Sequence, residues 1–276
     1  MEAVKREKNG VVYYTFPILE QAGIVHGFST RLGGVSEGDC ATMNLSFTRG
    51  DDPEAVQENH RRFAGAVGYD VEKLVFSNQV HETVIRRVDA SDCGKGIFRE
   101  SDLIGVDGLM TEDEEVVLMT FFADCVPLFF YDRRRRAIAA VHSGWRGTVR
   151  RIGGLAVEAM GREFGSQPED ILSVVGPSIC QDCYEVSGDV AEAFREEFTP
   201  EQCRELLLEK PEDKYMLNLW RANEIILQEA GIPASQIQVS GLCTCCHPEL
   251  LFSHRASHGR RGNLAGVITL GGKMEK

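Results

Sequence analysis

Asp124-Cys125 and His142 lie on two apolar stretches separated by the arginine run 133–136. A thiol and an imidazole do chemistry together only where the fold sets them side by side. Let 125–132 and 135–142 pair as an antiparallel hairpin. A two-residue loop at Arg133-Arg134, or a four-residue loop over 132–135, then puts Cys125 directly opposite His142. Directly opposed residues share one face of the sheet, with Cβ atoms about 5 Å apart. At that separation the pair can hold one metal ion or act as nucleophile and base. The plainer alternative is a buried cysteine and a strand-end histidine with no shared role. Arg-Arg does not suit a type I′ turn, and a three- or five-residue loop would part the pair.

The neighbours of this pair carry chemistry of their own. Pro127 removes a backbone donor, which suits an edge strand or a bulge that re-aims a side chain. Asp124 is either a turn aspartate or an acid/base group turned into the site. The loop Gly144-Trp145-Arg146-Gly147-Thr148 opens a helix directly after His142. A helix start attracts anions, and the Arg146 fork matches phosphate. The alternative is an ordinary strand-to-helix turn with a surface arginine.

The remaining reactive residues are read as structural. Cys180 and Cys183 form a C-x-x-C. With Cys243, Cys245 and Cys246 they could bind a second, structural metal, but that later group is taken to lack a second C-x-x-C, so small buried residues at strand ends is the preferred reading. His26, His60, His247 and His258 have no partner by spacing. Arg260 and Arg261 sit in a glycine-rich loop and are expected in solvent, as are the arginines 133–136.

These residues need elements to position them. Residues 23–30 read as a strand running into a loop. Asp52 followed by Pro53 marks a helix start, Val56, Phe63 and Val67 its inner face, and Gly68 its end. Strands are expected around 75–76 and 84–85, across 116–131, and over 137–142, 171–175, 236–242 and 265–270. Val149, Ile152, Ala156, Ala159 and Met160 share one helical face, and further helices fall near 189–198 and 217–230. Helices and strands mix without strict alternation. The expected fold class is therefore α/β, a mixed sheet with helices outside it, as one domain over 1–276.

Composition narrows the function classes. A net charge of −12 over 276 residues argues against nucleic acid and against an anionic membrane surface as partners. No run reaches the ~18 apolar residues of a membrane span. The apolar stretch 11–19 is broken by Pro17 and lacks a cleavage site, so a cytoplasmic enzyme is expected.

Several stretches together resemble one family. They are His26-Gly27-Phe28-Ser29-Thr30-Arg31, Gly50-Asp51-Asp52-Pro53, Gln79-Val80-His81, Asp107-Gly108-Leu109, Ala123-Asp124-Cys125-Val126-Pro127, His142 through Gly147, Gly176-Pro177-Ser178-Ile179, Cys183-Tyr184-Glu185-Val186, and Cys243-Thr244 with Pro248-Glu249-Leu250. The sequence resembles the YfiH/YlmD-like laccase-domain proteins from about residue 20 to 270. That resemblance implies a catalytic zinc held by His81, Cys125 and His142 with an open fourth position. It implies phosphorolysis of the purine nucleosides adenosine, inosine, guanosine and methylthioadenosine with phosphate, together with adenosine deamination. It also implies a layered fold like that of certain toxin deamidases. Asp124, Cys125 and Arg146 are the candidate catalytic residues. Arg31, Arg49 and Gly144 are the candidate substrate contacts. Ser143, Cys245 and His254 depart from the family's usual residues and bear on the substrate pocket.

The older family name suggests a copper polyphenol oxidase. Seven histidines without a His-x-His pair speak against it, although Cu2+ could enter such a site adventitiously. A metal-free cysteine hydrolase or deamidase built on Cys125 and His142, and a non-enzymatic zinc-binding module, stay open. So does the choice between monomer and homodimer.

Overall fold

The computed structural model describes residues 2–272. In chain order its elements are β1 (Val4–Lys8), β2 (Val11–Thr15), α1 (Pro17–Gln21), β3 (Val25–Ser29), α2 (Pro53–Val67), β4 (Leu74–Phe76), β5 (Ile85–Arg87), β6 (Gly108–Thr111), β7 (Val117–Phe122), β8 (Val126–Asp132) and β9 (Ala137–Ser143). Then follow α3 (Trp145–Val149), α4 (Ile152–Phe164), β10 (Ile171–Val175), β11 (Glu185–Ser187), α5 (Gly188–Glu197), α6 (Pro200–Leu206), β12 (Leu207–Lys210), β13 (Lys214–Leu217), α7 (Leu219–Glu229), β14 (Ile237–Val239) and β15 (Leu264–Thr269). The start and stop signals of α2 act as expected. The Asp52 side chain accepts from the Glu54 N–H, and Gly68 closes the helix in the left-handed conformation. The helical face running through Val149 and Ile152 is interrupted: Arg151 takes a positive φ of 59° and splits α3 from α4.

Two six-stranded mixed sheets stack face to face. One has the order β1-β2-β3-β15-β7-β4, the other β14-β10-β8-β9-β6-β5. A small sheet, β11-β13-β12, stands apart from both. Alternation along the strands explains the layering. On β8, Phe129 and Tyr131 face the other large sheet, together with Phe28, Leu118 and Phe122. Leu128 and Phe130 point the opposite way, into a core made with Ile152, Ala156 and Met160 of α4 and Ile226 of α7. On β7, Met119 packs outward with Phe63 of α2. The layers therefore run helix, sheet, sheet, helix. Strands buried on both faces need unbroken apolar runs, which is why 116–131 reads as one long β stretch. Burying a Phe such as Phe129 contributes roughly 2–3 kcal/mol.

The hairpin of β8 and β9 exists, but its register differs from the expected one. Val126 pairs with Ser143 and Pro127 with His142. The loop is Arg133–Arg136, four residues and one position later than expected. Asp132 is the cause. It stays in the strand opposite Ala137, and its carboxylate accepts the N–H groups of Arg134 and Arg135, while Arg136 turns the chain at φ 52°. Cys125 thus sits beyond the ladder, two residues from the partner of His142 and on the same side of the strand if the alternation is continued.

Candidate metal centre and cavity

Three chain segments deliver the donors, and each lies where a strand ends. His142 is near the end of β9. Cys125 lies in the short link 123–125, where the chain leaves β7 in one sheet for β8 in the other. His81 lies in the loop that takes the chain from β4 to β5, again between the sheets. The Cys125 Sγ and His81 Nε2 are 3.7 Å apart. One donor atom from each of the three residues lies within 4.8 Å of the others. The two imidazoles meet edge to face, with ring centroids 4.7 Å apart.

Asp107 holds this arrangement. It is fully buried just before β6. One carboxylate oxygen accepts the His142 Nδ1–H at 2.8 Å and the His81 backbone N–H at 3.0 Å. The other accepts the N–H groups of Val80 at 3.1 Å and Glu82 at 2.9 Å. The bond to Nδ1 leaves Nε2 of His142 as the electron-pair donor toward the cluster, the usual second partner of a metal-ligating histidine. The three backbone bonds stabilise the loop with His81 at φ 64°, a conformation that would otherwise be strained.

Charge in the cluster is shared. Burial alone would raise the Cys125 thiol, but the imidazoles of His142 and His81 bring it down to about 6. Burial would lower His142, yet the Cys125 thiolate and Asp107 raise it to about 9. Burial likewise works against the Asp107 carboxylate, and its bond to His142 keeps it below the ordinary range. Metal-free, the cluster is a thiolate–imidazolium pair braced by a carboxylate.

Gly144 contributes by what it lacks. A Cβ there would lie 2.8 Å from the His81 ring and 3.2 Å from the Cys125 sulfur, so a larger residue would push into the cluster. The close approach of the backbone to both side chains is what requires a glycine at this position. Arg31 is corrected. Its guanidinium donates to the carbonyls of Ala41 and Pro248 and lies over Phe252, outside the residues that line the cavity. It braces loops because these carbonyls would otherwise lack donors.

The cluster opens into a cavity of about 870 Å³. Arg49 and Arg146 line it. Arg146 stacks over Trp145, with the guanidinium carbon 4.3 Å from the ring centre. The helix start beside it is short, because α3 has only five residues. Arg255, His254 and Tyr184 also line the cavity, and so does Arg261, contrary to the solvated role expected of it. Burial and the nearby Arg49 lower Arg261 to about 10. This concentration of cations is notable in a chain of net charge −12.

Asp124 is buried at φ 89° and lines the cavity, but its oxygens are engaged. One accepts the Thr244 hydroxyl at 2.7 Å and the other the Arg255 backbone N–H at 2.7 Å. His26 and His60 are buried structural residues, as read from the sequence.

Asp107 and Thr244 are the residues whose importance spacing did not reveal. A polar residue at the head of an apolar strand was the available sign for Asp107. A second correction concerns the later cysteines: Cys243 and Cys246 do form a C-x-x-C. Their sulfurs and those of Cys180 and Cys183 all lie within 4.8 Å of one another.

Comparison with known proteins follows this geometry. A family model described as multi-copper polyphenol oxidoreductase laccase matches residues 25–271. The chain is 36% identical over 246 residues to the purine nucleoside phosphorylase YlmD of Bacillus subtilis, covering 89% of this chain and 88% of that one. It is 38% identical over 247 residues to a purine nucleoside phosphorylase of Deinococcus radiodurans, covering 90% and 89%. The crystal structure of YlmD from Geobacillus stearothermophilus superposes over the whole of both chains, with a TM-score of 0.90 and 35% identity. No helix among the described residues is long and apolar enough to cross a membrane.

Proposed function

This chain belongs to the YfiH/YlmD laccase-domain family, and on that footing we propose that it is a zinc-dependent purine nucleoside phosphorylase that also deaminates adenosine. The observation that carries this reading is the joining of a three-donor His/Cys/His cluster to an arginine-lined cavity of about 870 Å³. Three donors with an open side match a catalytic rather than a structural zinc. His81, Cys125 and His142 would hold the ion, and the donor chemistry fits. Cys125 is readily deprotonated, and Asp107 fixes the His142 tautomer. Bound there, zinc supplies Lewis acidity toward an oxygen of phosphate or water.

The protein's own groups do the rest. Arg49 and Arg146 bind phosphate and hold it against the sugar. A phosphate oxygen forms a bond to C1′ as the glycosidic bond breaks. The bonding electrons leave with the purine, which takes up a proton and departs as free base beside ribose 1-phosphate. Phe121 and Trp145 line the same cavity and offer aromatic surface for the base. In deamination, water adds at purine C6 and ammonia leaves. Asp124, with both oxygens engaged, orients the Cys125 link and does not carry the proton in this mechanism.

One observation favours a second reading. A low thiol beside a raised imidazole that is itself oriented by a carboxylate is also the arrangement of a cysteine hydrolase. His81, 3.7 Å from the same sulfur, is a third donor in the metal reading, whereas in this one it serves only to help lower the thiol. Each purine nucleoside is incubated with wild-type protein, with and without phosphate, and with His81→Ala, Cys125→Ser and His142→Ala. Ribose 1-phosphate and free base should form only with phosphate and wild-type protein. Full activity in all three variants, or no product from any nucleoside, would overturn the proposal. Alkylation of Cys125 that a chelator does not accelerate would point to the hydrolase.

A further inference from the structure

The geometry points to a second metal site: Cys180, Cys183, Cys243 and Cys246 bind one zinc ion, which clamps two loops together behind the catalytic cavity.

The sequence supplies two C-x-x-C motifs 60 residues apart, and the fold sets them side by side. Ser178 makes a parallel bridge with Cys243. The Ser178 N–H donates to Leu242 O, and the Thr244 N–H donates to Ser178 O, both at 3.2 Å. The ladder thereby aligns the residue two before Cys180 with Cys243. A 3-10 turn over Gln181–Cys183 brings Cys183 back toward the same point.

The sulfur positions suit a tetrahedron. The Cys183 and Cys246 sulfurs are 3.4 Å apart, and those of Cys180 and Cys246 are 3.9 Å apart. Zinc–thiolate bonds of about 2.3 Å put the corners of a regular tetrahedron about 3.8 Å from one another. All nine cysteines are free thiols, so no disulfide competes in this structure. The backbone N–H groups of Cys180 and Cys246 both donate to the Cys243 sulfur, at 3.2 and 3.4 Å. Such bonds stabilise a thiolate. The Arg255 guanidinium, bonded to the carbonyls of Cys183 and Glu185, offsets part of the negative charge of a four-thiolate site.

Four soft donors without a carboxylate select zinc or iron over magnesium or calcium. A polynuclear iron–sulfur cluster interposes several atoms between its cysteines and would spread them further than this. None of the four cysteines lines the large cavity. A closed set of four donors is the arrangement of a structural zinc. As the ion binds, each thiol gives its proton to solvent and its sulfur forms a bond to zinc.

The position of the site gives it a use. Next to Cys180, the Ile179 N–H donates to the Asp124 carbonyl at 3.0 Å. Next to Cys243, the Thr244 hydroxyl donates to the Asp124 carboxylate. Both clamped loops therefore grip the residue that precedes Cys125.

The proposal is independent of the reaction assigned above, because its test reads metal and not turnover. The full chain is prepared with zinc under reducing conditions and weighed by native mass spectrometry. Wild-type protein should carry two zinc ions. Cys183→Ser/Cys246→Ser should carry one, and Cys125→Ser should carry one. If the double variant fails to fold, X-ray absorption at the zinc edge of wild-type protein replaces it. An average of about 2.5 sulfur ligands per zinc is expected, against one if only the His/Cys/His cluster is loaded. A double variant that keeps as many zinc ions as wild-type protein, a Cys125→Ser variant that carries none, or iron with acid-labile sulfide would overturn the site.

Discussion

The two sulfur-containing clusters share a neighbourhood and divide their work by donor count and support. His81, Cys125 and His142 bring three donors to the edge of a large cavity. They are pinned by one buried carboxylate that collects four hydrogen bonds. The four cysteines bring a closed set of donors outside that cavity and are pinned by backbone pairing of two loops. A three-donor site must take its rigidity from the groups that hold its ligands, because one side is left open. A closed site takes its rigidity from the ion. The two ions should therefore respond differently to the same insult.

The largest separation is expected from Asp107→Asn. The amide would turn two protons toward N–H groups that now donate to a carboxylate. Changing a group that orients a metal-binding histidine lowers metal affinity about 10–100-fold, and removing one partner of a buried pair costs about 3–5 kcal/mol. Competition with a coloured chelator should show the His/Cys/His ion weakened about 100-fold and the four-cysteine ion held as before. Loss of both ions together would mean that the clusters form one unit and would break the comparison.

How much of this was legible in the chain depends on the range of the contact. Helix α2 could be read from Asp52, Pro53 and Gly68, because capping is local. The mixed, layered α/β class could be read, but the strand order could not, since β15 enters between β3 and β7 from the far end of the chain. Cys125 and His142 could be associated through their hairpin, although Asp132 moved the turn by one position. His81 could not be placed from spacing. Its position depends on a left-handed backbone held by Asp107, 26 residues away. The second C-x-x-C stood in the sequence and lacked only a partner, which the Ser178–Cys243 bridge provides.

A smaller contrast concerns the thiols of metal-free, reduced protein. At Cys125 burial would raise the thiol, but the two imidazoles bring it to about 6; at Cys180 burial and the bond to Cys243 raise it to about 11. At pH 7 most of Cys125 is thiolate and most of Cys180 is thiol, so Cys125 should be labelled faster by iodoacetamide, by about 10-fold or more after the weaker nucleophilicity of a low-pKa thiolate is counted. Lowering the pH from 7 to 5 protonates Cys125 through its value near 6 and should slow it about 10-fold. Peptide mass spectrometry after limited labelling reads both sites. Equal rates would show that the imidazoles do not act on the sulfur.

The smallest effect expected tests the link between the clusters. Thr244→Val keeps the shape of the side chain and removes the hydroxyl that donates to Asp124 at 2.7 Å. A buried carboxylate oxygen then lacks that donor, at a cost of about 1–3 kcal/mol. Both metals should stay, because Thr244 is a ligand in neither cluster. If the hydroxyl only supports folding, the melting temperature falls while the kinetics of loaded enzyme are unchanged. If it positions Cys125 through Asp124, kcat falls several-fold with KM steady, and Thr244→Ser, which retains the donor, restores it. The kcat change is the expected result. It follows from where Asp124 sits: at φ 89° its backbone cannot hold the Cys125 link alone, so the loop carrying Cys243 must hold it from outside.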